Sequence, residues 1–145
     1  MVEFDEIELR NEFLNAIREG FAEYYDLLET EVQVKSEEPQ KASFPCCFVR
    51  LVSPISDQKY DDSGGSFQII RFSLECDLFS NALGDYTATD SVTKLSQMLI
   101  KIVLSKYHNF VVTRNNQVPF RSDVKRRVVD FACTYDIKNK IIYSN

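Results

Sequence analysis

Ile70-Arg71-Phe72-Ser73-Leu74-Glu75-Cys76-Asp77-Leu78 is the stretch that decides the fold. Ile70, Phe72, Leu74, Cys76 and Leu78 fall on one side of an extended chain, and Arg71, Ser73, Glu75 and Asp77 on the other. Successive side chains of a strand point to opposite faces, so this is the pattern of a strand with one buried side. It predicts a long strand over Phe67–Phe79.

Downstream, a turn through Asn81, Leu83 and Gly84 leads to a helix ending near Tyr107. Val92, Leu95, Leu99, Ile102 and Val103 recur at helical spacing as its buried stripe, with Met98 as core filling. Thr87 followed by Asp90 has the spacing of a capping box. Phe110–Arg114 and Gln117–Arg121 flank Asn115-Asn116, which reads as the turn of a short hairpin, with Pro119 confining the second arm to an edge. Val124–Ile137 repeats the opening alternation, with Val129, Phe131, Cys133, Tyr135 and Ile137 inward. The tail Lys138–Asn145 reads as a final short strand or arm.

Upstream, Phe44–Val52 is rich in strand-forming residues and bounded by Pro45 and Pro54, and Glu31–Lys35 alternates briefly. Phe4–Glu29 reads as a helix with Phe13, Ile17, Phe21, Tyr25 and Leu28 on one stripe, widened by Leu14 and Tyr24. Glu12, Glu19, Glu23 and Asp26 take the opposite side. Gly20 in its middle costs about 1 kcal/mol relative to Ala. Ile55–Ser66 has no hydrophobic period and reads as a long hairpin loop that cannot bury itself. The predicted class is α+β. Residues 1–145 form a single domain in the order α-β-β-β-α-β-β-β, one mostly antiparallel sheet packed by two main helices.

Charge is unevenly placed. Residues 1–38 hold twelve acidic and three basic side chains, against ten and fourteen in the remainder. The chain total of −5 argues against general attraction to nucleic acid. The polarity instead suits head-to-tail pairing of copies, docking on an oppositely charged partner, or simply a solvated acidic helix. Lys101 and Lys106 interrupt the longest apolar stretch, so no membrane span is expected. The N-terminus is acidic where a targeting peptide would be basic, which predicts synthesis in the cytoplasm.

No reaction centre emerges. Cys46, Cys47, Cys76 and Cys133 form no CxxC pair and are expected to be buried free thiols. His108, the single histidine, follows a helix C-terminus, where a structural role is expected, and no metal or cofactor site is predicted. Glu75 and Asp77 lie two apart on one face, but with Arg71 and Ser73 interleaved they read as a solvated or interface face rather than a catalytic dyad. Asp57, Asp61 and Asp62 lack the spacing of a calcium loop. Lys125, Arg126 and Arg127 alternate across a strand, so they form no compact phosphate clamp and suit a charged edge that discourages aggregation. An enzyme is not expected.

R-F-S-L-E-C-D-L-F-S (Arg71–Ser80) with the helix that follows, and V-K-R-R-V-V-D-F-A-C-T-Y-D-I (Val124–Ile137), resemble the tail terminator proteins of long-tailed bacteriophages and related prophage elements. The likeness is one of pattern and covers roughly residues 30–143; the acidic first helix is less characteristic. It implies a structural virion protein of the tail and neck, assembled in the bacterial host cytoplasm. Such proteins form a hexameric ring on the head-proximal end of the tail tube, stop its polymerisation and present a surface to the head connector. Its implied partners are further copies of itself, the tail tube protein and the neck proteins, with no membrane and no specific nucleic acid. Under this reading Arg71, Glu75, Asp77, Lys125, Arg126 and Arg127 are expected at subunit or tube contacts. The loop around Asp57, Lys59, Tyr60, Asp61 and Asp62 is expected to order on assembly. Two alternatives stay open, another neck component (a head-closure or tail-completion protein) and a non-viral cytoplasmic adaptor that binds a partner through its acidic helix.

Overall fold

The structure is a computed structural model that describes residues 6–36, 43–52, 59–60, 68–136 and 141–143. Its elements are α1 (Glu6–Ala22), α2 (Tyr25–Leu28), β1 (Gln33–Lys35), β2 (Cys46–Val52), β3 (Lys59–Tyr60), β4 (Gln68–Ser80), α3 (Ala88–Lys106), β5 (Val111–Val118), β6 (Lys125–Asp136) and β7 (Ile141–Tyr143). All seven strands belong to one sheet in the order β1-β2-β4-β6-β5, with β3 paired to β4 and β7 to β6. The fold is α+β. The sheet is mixed, because the edge pair β1–β2 is parallel while every other pair is antiparallel.

The opening stretch lies at the sheet's centre. Phe72, Leu74, Cys76 and Leu78 are buried against α1 and α3, as are Val129, Phe131 and Cys133 of β6, the longest partner of β4. Ile137 lies outside the described residues. Leu95, Leu99 and Val103 of α3 and Phe13 and Ile17 of α1 complete this core. Phe13 anchors an aromatic group, with ring centroids 5.8 Å from Phe72, 5.1 Å from Tyr107 and 5.5 Å from Phe110. Thr87 caps α3 as its spacing predicts, the Oγ1 accepting from the Asp90 N–H at 3.1 Å.

Four expectations need correction. The first helix is not continuous to Glu29. The Glu23 and Tyr24 N–H groups reach back only three residues, to Gly20 and Phe21, and Glu29 closes α2 with φ 56°. Tyr25, assigned to the buried stripe, is therefore exposed. Gly20 is not merely a weak point: a Cβ there would overlap the Ile102 side chain, with Cγ1 at 2.8 Å, so the missing side chain lets α1 and α3 approach closely.

The predicted hairpin at Asn115-Asn116 is a single strand. β5 runs through both asparagines and pairs with β6 across a bulge between Val112 and Arg114. Their side chains serve the exposed edge instead: Asn115 Oδ1 accepts from Arg127 Nε at 2.7 Å, and Asn116 Oδ1 from Arg114 Nε at 3.0 Å. The chain turns after Pro119, which ends β5. Within the predicted loop Ile55–Ser66, Lys59 and Tyr60 form β3 against the start of β4. Asp57, Asp61 and Asp62 lie outside the described residues.

Candidate assembly surfaces

The helices cover one face of the sheet. The other carries alternate residues of β2, β4 and β6, and their registers set charges opposite one another. Arg50 lies directly across from Glu75, and Asp77 lies diagonally between Arg50 on β2 and Arg126 on β6. Arg50 Nε donates to Glu75 Oε1 at 2.9 Å and Nη2 to Asp77 Oδ2 at 3.0 Å. Arg126 grips Asp77 with both arms of its guanidinium, Nε to Oδ1 at 2.7 Å and Nη2 to Oδ2 at 2.8 Å. The result is a chain of four charges, Glu75–Arg50–Asp77–Arg126, lying across three strands.

Asp77, expected on a solvated or interface face, is only 4% exposed within the single chain. A buried carboxylate is tolerated because two guanidinium groups replace its water. The same contacts hold the arginines charged. Burial pulls Arg50 down, but its hydrogen bond to Glu75 and the charges of Glu75 and Asp77 outweigh it; for Arg126 the hydrogen bond to Asp77 raises the pKa against burial. Asp130, next along this face, fares worse. Burial and then Glu75 push its carboxyl up, Arg114 stands 3.9 Å from Oδ2, and Oδ1 has no partner.

Beside the charges lies a second small core, formed by Cys46, Phe48, Phe79 and Val124 with Phe44 packed on it. No helix covers it. The segment between β5 and β6 folds over it: Phe120 meets Phe79 edge to face at 4.9 Å, and the Arg121 guanidinium lies over both Phe44 and Phe120. Phe120 stays 45% exposed, a ring that is half cover and half projection.

The predicted basic cluster is dispersed. Arg126 belongs to the ionic chain, Arg127 points to Asn115, and Lys125 Nζ donates to the Arg121 carbonyl at 3.2 Å. Glu75, Asp77 and Arg126 are brought together; exposed Arg71, opposite Thr134, stands further along the strand. Sequence reasoning missed Arg50 and the aromatics Phe44, Phe48, Phe79 and Phe120. Their one advance signal is that Cys46 and Phe48 sit on the opposite strand face from Cys47 and Val49, so apolar residues occupy both sides of β2.

On the helix side, at the same end of the sheet, a groove of about 480 Å³ opens between the end of α2 and the start of α3. Leu27 (71% exposed) and Tyr86 (50%) form its apolar rim, Leu28 and Met98 its floor, and Glu29 and Asp85 flank it. The Leu83 N–H donates to buried Ser91 Oγ at 3.0 Å, which ties the β4–α3 loop to the helix.

The described residues show no grouping of three or more His, Cys, Asp or Glu able to hold a metal ion, and no helix among them is long and apolar enough to cross a membrane. All four cysteines are free and buried. Cys47 is held protonated by its hydrogen bond with Cys76 and by burial, and Cys133 by burial alone, so neither is a ready nucleophile. No protein-family model matches the chain, and no curated protein sequence matches it.

Proposed function

We propose that this protein is a structural component of a phage or prophage tail, similar to the tail terminators. In this reading its copies form a ring, with six subunits as the family implies, that caps the head-proximal end of the tail tube, ends tube growth and offers a surface for head joining. The observation that carries the reading is the presence of two unlike, exposed, partly apolar surfaces on opposite sides of one sheet. One carries Arg121 and Lys125 beside Asp123, and the other Glu29 and Asp85 beside Lys94, so their charge balances are opposite in sign. Surfaces that differ in this way pair head to tail, and a head-to-tail contact repeated by rotation closes into a ring. The residue patterns of Arg71–Ser80 and Val124–Ile137 support the choice of tail protein.

The ionic chain has a mechanical part in this function. It ties β2, β4 and β6 together on the face opposite α1 and α3, so a load applied there meets a braced sheet rather than three separable strands.

Electron microscopy of particles made without this gene tests the proposal. Tails of uncontrolled length, lacking heads, are the expected result; normal virions would reject it. A protein that stays monomeric beside isolated tail tubes would favour the adaptor reading.

A further inference from the structure

We infer that the ring contact is a knob-in-groove joint, in which Phe120 of one copy seats in the groove rimmed by Leu27 and Tyr86 of the next. The inference rests on the ring reading and adds the identity of the joint.

Three observations support a second copy as the occupant. The first is charge. The knob carries Arg121 at its side and Lys125 behind it, while the groove is flanked by Glu29 and Asp85. Arg121 is shared with Asp123 at 3.2 Å, and Lys94 lies over Tyr86, so neither side is a bare charge, but the signs remain opposite. The second is shape. Phe120 is a half-exposed ring held by edge-to-face packing on Phe79, and the groove offers apolar side chains around a space large enough for a ring.

The third is position. Ser80 at the end of β4 pairs with Lys125 at the start of β6, and Phe79 pairs with Cys46 at the start of β2, beside which β1 begins. Segment 119–124 precedes β6, Leu83–Tyr86 follows β4, and α2 precedes β1, so knob and groove stand at one end of the sheet. They lie on opposite faces of it, as adjacent Leu78 and Phe79 belong to the helix-side core and the outer cluster respectively. A contact that closes by rotation, with no rise, needs its two halves at equal height along the axis. An axis along the strands satisfies that condition.

Single substitutions Leu27→Cys and Ser122→Cys, the second exposed beside the knob so that the Phe120 ring is kept, are mixed and treated with a short bismaleimide to test the joint. The four native thiols are buried and serve as the unreactive background, checked on the unsubstituted chain. The reaction is run at high protein concentration and again on isolated tail tubes. The expected product is a dimer joining position 27 of one chain to position 122 of another, absent when either variant is treated alone. Asp85→Lys in the Leu27→Cys chain should lower the yield about five- to tenfold, and added salt should act the same way.

Dimers formed by either variant alone, coupling to tube protein in place of a second copy, or no mixed dimer in either setting would overturn the inference. If the protein caps tubes without the mixed dimer, the joint is wrong and the ring reading stands. If the dimer forms but tubes are never bound, the reverse holds.

Discussion

The two faces of this sheet solve burial in opposite ways. On the helix side, Leu74, Cys76, Leu78, Val129 and Phe131 disappear beneath α1 and α3, and the pattern is close to purely apolar. On the other side no helix arrives from the described residues. Asp77 is buried by its own counter-charges, and Phe79 and Phe48 by a loop that folds back. The first face needs only alternation, which any strand can supply. The second needs particular partners from three strands in one register, so it is the more specific and the more easily broken by a single change.

The largest effect is expected from the helix side. Leu74→Ala should lower the free energy of unfolding by about 3–5 kcal/mol in a urea titration, since Leu74 is fully buried and both helices resist collapse onto the cavity. Asp77→Ala should cost about 2–4 kcal/mol, because Arg50 and Arg126 lose the carboxylate that holds them together. Both guanidinium groups keep some contact with water, which holds the loss below that of a fully buried pair. If Asp77→Leu combined with Arg50→Met and Arg126→Met recovers most of that loss, the ionic chain serves specificity more than stability.

Gly20→Ala sharpens the contrast through a change of sign. An unpacked helix glycine gains about 1 kcal/mol on substitution by Ala, whereas the Ile102 overlap predicts a net loss of about 1–2 kcal/mol. In an Ile102→Ala background the same change should become favourable.

The smallest effect is at Asp130. Its folded pKa is raised by burial and by Glu75, so the folded state binds more protons than the unfolded chain between the two values, and stability falls as pH rises through that window. Asp130→Asn should therefore stabilise the protein at neutral pH by no more than about 1 kcal/mol. The gain should vanish in acid, where the native carboxyl is itself protonated; thermal melts across pH measure it.

The same contrast separates what the sequence reveals from what it hides. The stripes of β4, β6 and α3 were legible because one periodicity and one burial rule suffice, and the Thr87 cap because its partner lies three residues away. The register that sets Arg50 opposite Glu75 joins residues 25 apart, and nothing local encodes it. Asn115-Asn116 misled because a turn signal is only a local preference, and the exposed edge of β6 offered β5 a continuous row of partners. In sequence Glu75 and Asp77 read as a solvated or interface face and Arg126 as part of a separate charged edge, so the link between them is not foreseen. Asp77's burial depends on cross-strand neighbours that no single strand reveals.

Electron microscopy of isolated tail tubes incubated with the purified protein tests most directly whether the sheet face opposite α1 and α3 meets the helices of the next subunit. A ring at the head-proximal end, with each copy's 119–124 segment against the helix side of its neighbour, is the predicted image. Bare tubes that continue to grow, or copies paired face to face about a twofold axis, would contradict it.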